Sequence, residues 1–214
     1  MDVTPSAGFP GRYHLIASSP FRAVVATQTQ LRRHCRAEVS IEPPDREWVQ
    51  RQDWELKNVR RDSLKRVLAS LQHLSYRVEL GPLFNEMQRK GDDVEDVEVL
   101  WNDEAICIPM PLPRLQIEHP GYALGQYLTN PAFLDAAHQT AAMFALLLTN
   151  EAFLPAGADE FAVLRAPNVP GKYRVIAKLR ERSEDRTVYD IGMWDDQGEL
   201  FAYVKRSAFK RVRQ

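Results

Sequence analysis

Only two cysteines, Cys35 and Cys107, occur among 214 residues, far apart and without metal-type spacing. That argues against a disulfide framework or a zinc-binding ribbon and for packed thiols in a reducing compartment. A charge of one sign is lacking too. Against 28 basic side chains stand 29 acidic ones, for a net charge of -1, so no global field draws nucleic acid or an anionic membrane. Long apolar runs are missing: the longest, Ala141 to Leu148, is too short to span a bilayer. The opening "MDVTPSAGFPGRYH" has no basic-then-apolar signal pattern. These absences lead us to expect a cytoplasmic protein with neither nucleic acid nor membrane as partner. There is no Gly-rich phosphate loop, no supportable Ser-His-Asp order and no His/Cys ligand cluster, so nucleotide, hydrolase and metal chemistry have no motif to stand on, and no metal is expected.

What is present reads as an α+β protein. "RYHLIASS" and "AVVATQTQLRRHCRAEVSIEP" are rich in β-branched residues and predict strands, closed by Pro43 and Pro44. The stretch from Asp45 to Pro82 is charged and helix-favouring and ends at the Gly81-Pro82 breaker, predicting a surface helix. "DVEDVEVLWNDEAICIPMPLP" alternates as a strand or hairpin does, and prolines 109, 111 and 113 stiffen its end. After the later apolar stretch come "FAVLRAP", "GKYRVIAKLRERS" and "RTVYDIGMWDDQGELFAYVKRSAFKRV", which predict antiparallel strands turning at Asp196-Gln197-Gly198. We expect residues 1–11 to be loose and 12–214 to form one domain whose antiparallel sheet wraps a long helix.

That helix is the apolar stretch from Pro131 to Thr149. Asn130 suits an N-cap, Pro131 a first helical position, and Ala, Leu, Met and Phe follow without a breaker. Apolar residues cover nearly every face, which predicts a buried helix. One acid, Asp135, interrupts it. Gln139 lies one turn later on the same face, within hydrogen-bonding reach. His138 is about 300° around from Asp135. A buried carboxyl can hold a proton at neutral pH if burial outweighs the helix N-terminus, and an N-terminal aspartate can equally be a cap.

Three patterns occur in order: "LGPLFNEM" from Leu80 to Met87, "NPAFLDAAHQ" from Asn130 to Gln139, and "YDIGMWDDQGELFAYVKRSAFKRV" from Tyr189 to Val212. Together they resemble the C-terminal half of the dehydratase domains of modular polyketide synthases, two hotdog folds in one chain. There a "YGPxF" motif precedes a strand, a Pro-x-Leu-Leu-Asp-x-x-x-Gln or His motif opens the hotdog helix, and a "D-x-x-G" hairpin is followed by basic residues. The resemblance covers roughly Arg12 to Val212. It implies a hotdog fold around the Pro131 to Thr149 helix, with Asp135 as catalytic acid and Gln139 as the polar residue orienting it. It implies that Gly81, Pro82, Phe84, Asn85 and Pro131 border the substrate, a β-hydroxyacyl thioester carried on the phosphopantetheine of an acyl carrier protein, without a cofactor of the chain's own. His138 and His34, the latter falling where the family has "W-x-x-H", are possible auxiliaries.

The departures are specific. The family's base histidine sits in a His-x-x-x-Gly-x-x-x-x-Pro motif of the N-terminal hotdog, and none of His14, His34, His73, His119 and His138 has that context. Leu80 stands where the family has tyrosine, and Asn130 where it often has histidine. The chain then reads as half of an active site, expected to pair with itself or with an N-terminal-type hotdog that supplies the base. A double-bond isomerase or a cyclase would use the same proton shuttling, and a silent acyl-binding or scaffolding hotdog would need none of it. The basic tail Lys205, Arg206, Lys210, Arg211 and Arg213 suits an acidic carrier protein better than nucleic acid, for which no aromatic platform or recognition helix is evident, and also suits a solvated strand edge.

Overall fold

A computed structural model describes residues 2–5, 12–21, 30–40, 45–64, 66, 98–111, 131–165 and 172–212. Residues 2–5, 12–21 and 30–40, and within the rest 46, 109–111, 131, 132, 135 and 172, are described by their backbone alone. The chain divides into two units, Met1–Arg51 and Gln52–Gln214. In the first unit, β1 (Asp2–Pro5), β2 (Arg12–Phe21) and β3 (Gln30–Ser40) form an antiparallel meander. Residues 2–5, expected to be loose, are therefore a strand, because Asp2 through Pro5 find a partner in Tyr13 through Ile16. Helix α1 (Arg46–Arg51) follows, capped by Asp45, whose Oδ1 accepts the Trp48 N–H at 2.8 Å.

The helix expected from Asp45 to Pro82 is interrupted: α1 ends at Arg51, helical backbone returns at Leu64 and Arg66, and 67–82 lie outside the described residues. Residues 52–59 run irregularly instead and lead into β4 (Arg60–Ser63). The reason is tertiary. Trp54 and Leu56, two apart, pack on Cys107, Ile176 and Trp194, a spacing that an extended chain offers and a helix does not. Lys178 Nζ donates to the carbonyls of Asp53 and Glu55, and Arg180 to the Gln52 side chain.

The second unit holds an eight-stranded sheet in the order β4-β5-β6-β9-β10-β11-β7, with β8 also on β11. Its members are β5 (Glu98–Trp101), β6 (Ala105–Pro111), β7 (Phe153–Gly157), β8 (Glu160–Val163), β9 (Lys172–Arg182), β10 (Arg186–Trp194) and β11 (Leu200–Arg211). Every pairing is antiparallel. The predicted hairpin at 93–113 is β5–β6. Among the described residues, pairing with β5 reaches Ile106 and Cys107, and Pro109 and Pro111 pair with Arg174 and Lys172 of β9.

Helix α2 (Pro131–Thr149) lies against β6, β7, β9 and β10. This is the hotdog arrangement expected from the sequence, and the helix has the expected bounds. It ends at Asn150, whose left-handed backbone (φ 59°) and N–H to the Leu146 carbonyl (2.8 Å) close the last turn. Under the helix, alternation on the central strands presents Tyr173, Val175 and Ala177 of β9 and Tyr189, Ile191 and Met193 of β10 to Phe133, Ala137, Ala141 and Phe144.

The opposite face carries Trp194, stacked edge-on with Trp54 at 5.1 Å and under the Arg174 guanidinium at 5.5 Å. The indole lies over Gly192, where a Cβ would come within 2.2 Å of its Cη2. Gly192→Ala is therefore expected to displace the ring and cost about 1–3 kcal/mol, as overpacking does; chemical denaturation checks it, and an unchanged midpoint would show that the indole has room to move aside. Cys107, buried on this face, has its thiol pKa pushed up to about 11 by burial, which the Arg174 charge only partly offsets. It is a packed thiol, as expected.

Two arginines of the basic tail are committed within the fold. The guanidinium of Arg206 pairs with Glu181 at 2.5 Å and Asp159 at 3.2 Å, and that of Arg211 with Glu151 and Glu184. Arg206 also occupies a bulge of β11 (φ 49°), where its N–H reaches buried Asp190 at 2.8 Å. A free basic patch is thus not what these two arginines make.

Candidate active site on helix α2

Helix α2 starts at Pro131, so Asp135 is its fifth residue, one past the first turn. The free N–H groups of a helix belong to its first turn, and the N-terminal dipole fades beyond it. Both the capping role and the strongest local influence favouring a charged Asp135 are thereby weakened. At 100° per residue, Asp135 and Gln139 lie about 160° to either side of Ala137, together on the stripe opposite the sheet-facing centre of the helix. Gln139 is half-buried and its Oε1 is shielded from solvent. Further along this stripe Leu146 is only 5% exposed.

His138 takes a different side. Its ring lies edge-on to Phe209 at 6.0 Å, and burial lowers its pKa. This histidine is half-buried, and its partial burial disfavours the charged imidazolium. Pro131 stands at the helix start, with Asp135, His138 and Gln139 on the same helix. His34 is the extra residue of a bulge in β3, between the pairs Ala17↔Cys35 and Ser18↔Arg33, in the other unit. Gly81, Pro82, Phe84, Asn85, Leu80 and His73 and His119 lie outside the described residues.

The sequence reading missed the groups that hold the helix start in place. Phe133 is wedged edge-on against Tyr173 and Phe201, each at 4.9 Å. The Tyr173 phenol has its pKa raised by burial and by the nearby carboxylates of Asp196 and Asp195. Asp195 is buried in the β10–β11 turn: its Oδ1 accepts the N–H groups of Gln197 and Glu199 at 3.1 and 3.0 Å, and its Oδ2 pairs with Arg165. Gly198 completes the turn at φ 80°. The period-2 alternation of β9 and the Asp-x-x-Gly spacing were the available signals.

Burial alone would raise the Asp195 pKa, but the Arg165 hydrogen bond and the Glu199 N–H outweigh it and hold the pKa below the usual 3.8. A depressed carboxylate contributes stability that is fully present above the unfolded-state pKa and lost as pH falls through the folded one. Arg165→Met removes the main counterweight and leaves the burial, so acid unfolding is expected to begin at higher pH than in the wild type. Circular dichroism followed through pH 5 to pH 2 checks this, and coincident curves would show that the pair is energetically silent.

Among the described residues no three His, Cys, Asp or Glu side chains converge as metal ligands, and no helix is long and apolar enough to cross a membrane. A sequence model described as the polyketide synthase dehydratase N-terminal domain matches residues 64–214. The chain belongs to the polyketide synthase dehydratase family. Its fold agrees with solved dehydratase domains: the one from the CurJ module of the curacin polyketide synthase (TM-score 0.64, 17% identity, covering 98% of this chain and 66% of that one) and a trans-AT polyketide synthase dehydratase from Brevibacillus brevis (0.65, 15%, 99% and 68%). A bifunctional dehydratase-cyclase domain of ambruticin biosynthesis is also similar (0.60, 18%, 94% and 64%). The chain thus spans about two thirds of the length of the dehydratase domains it matches. No curated protein matches its sequence.

Proposed function

We propose that this chain is the C-terminal-type hotdog of a cytoplasmic dehydratase that removes water from a β-hydroxyacyl thioester on the phosphopantetheine of an acyl carrier protein. The observation that carries it is the stripe on α2, where Asp135 and Gln139 stand one turn apart, beyond the capping positions and away from the sheet. The matching family model describes an N-terminal domain; assignment to the C-terminal half rests on "NPAFLDAAHQ" opening α2, since both halves of a double hotdog share one fold. In this reading Asp135 holds a proton and delivers it to the departing β-hydroxyl. Gln139 fixes the orientation of the carboxyl. A base takes the α-proton, the electron pair of that C–H bond forms the α,β double bond, and water leaves. In this reading the base comes from a second copy or from an N-terminal-type hotdog, because no histidine of the chain stands in the family's base motif.

A second reading, a silent acyl-binding or scaffolding hotdog, or an isomerase or cyclase, is favoured by Leu80 at the family's tyrosine position and by the missing base motif. The test is to supply a carrier-bound β-hydroxyacyl thioester, with and without an N-terminal-type hotdog, and to follow loss of water by mass spectrometry. Dehydration that needs the partner supports the proposal. Binding of the acyl carrier without turnover, partner present, overturns it in favour of the silent reading, and a shifted double bond or a ring without net water loss favours the isomerase or cyclase.

A further inference from the structure

Beneath α2, away from the acid stripe, the core contains hydroxyls that its packing does not explain. Thr187, Tyr189 and Ser207 are all 0% exposed. Tyr189 and Ser207 are directly paired across β10 and β11, and Thr187 lies two residues from Tyr189 opposite Phe209, so the three side chains share one face of the sheet. That face looks at α2: the Tyr189 ring lies 5.9 Å from Phe144 of the helix and 5.5 Å from Phe209. Among the described residues none of the three oxygens has a hydrogen-bond partner of normal geometry. Burial pushes the Tyr189 phenol up to about 12, and the Thr187 hydroxyl approaches closely enough to temper that shift without completing a hydrogen bond of normal geometry. Buried hydroxyls are almost always satisfied, and leaving several unpaired would consume a large part of a domain's net stability. Helix α2, packed against this part of the sheet, carries Ala141 and Ala145, both fully buried.

We propose that Thr187, Tyr189 and Ser207 form an internal water-binding site between α2 and the β10–β11 hairpin. Ordered water there accepts from the Tyr189 phenol and exchanges hydrogen bonds with the two aliphatic hydroxyls, the two to four partners such a water needs. The site ties the helix to the sheet by a polar link inside an otherwise apolar layer, and it is independent of whether the chain is a dehydratase.

Tyr189→Phe, Thr187→Val and Ser207→Ala each delete one hydroxyl with little change of shape. If water is bound, each is expected to lower Tm by about 2–4 °C, and Tyr189→Phe combined with Thr187→Val to cost less than the sum, because both act on the same water. In the wild-type chain, magnetic relaxation dispersion of the solvent should detect long-lived internal water that diminishes in the Thr187→Val variant. If the oxygens are merely orphaned, the substitutions relieve a burial cost and Tm rises. Raised or unchanged Tm in all three variants, or a wild-type dispersion signal that none of them alters, would overturn the proposal.

Discussion

Asp135→Asn is expected to lower dehydration of a carrier-bound β-hydroxyacyl thioester by about 10²- to 10⁴-fold, the usual worth of a general acid, in an assay containing the hotdog that supplies the base. Asparagine keeps the size of the side chain and its capacity to bond Gln139 but has no proton acidic enough to deliver. Binding of a non-reactive analogue and the melting temperature should change little. A capping aspartate would behave in the opposite way, with no turnover to lose and a stability change within about 1 kcal/mol. The position of Asp135, fifth in a helix that begins at Pro131, already weighs against the cap. Turnover that survives the substitution unaltered would remove Asp135 from the mechanism, whatever the family to which the chain belongs.

Phe133→Ala should be the most damaging change to the fold near that site, costing about 3–5 kcal/mol. The ring is 5% exposed and meets both Tyr173 and Phe201 edge-on at 4.9 Å, so truncation leaves a cavity between the first turn of α2 and two strands. A domain is stable by only about 5–15 kcal/mol in all, and the loss would show directly in urea denaturation. Because Phe133 anchors the turn that precedes Asp135, turnover should fall as well even where the variant remains folded. Phe133→Leu fills most of the space and should retain both properties. If the alanine variant is destabilised yet turns over normally, the anchor matters to the fold and not to the placement of the acid.

The elements read correctly in advance share one property: their signal is local. Helix α2 could be read to its bounds because Pro131 starts it, no breaker follows, and a helix that is apolar all round has to be buried wherever it lies. The β5–β6 hairpin and strands β9, β10 and β11 were visible in their alternation, and the turn at 195–198 in its Asp-x-x-Gly spacing. The order of three motifs then pointed to the family.

What local signals could not show was decided by partners far along the chain. The stretch after Arg51 has the composition of a helix, yet Trp54 and Leu56 are drawn into extended structure by Trp194, Ile176 and Cys107, and β4 by its pairing with β5. Strand β7, which contains Pro155 and Gly157, exists because the end of β11 offers it an edge. His138, three residues after the acid, is turned to Phe209, and Arg206 and Arg211, which read as part of a basic tail, are neutralised by carboxylates brought from other strands and turns. By itself the sequence determined which segments must be buried and which acid interrupts them, since burial and helix periodicity depend on neighbours a few residues away. Which side chains face one another was left to the tertiary structure, because strand pairing and ion pairing depend on groups whose separation in sequence carries no trace of their contact.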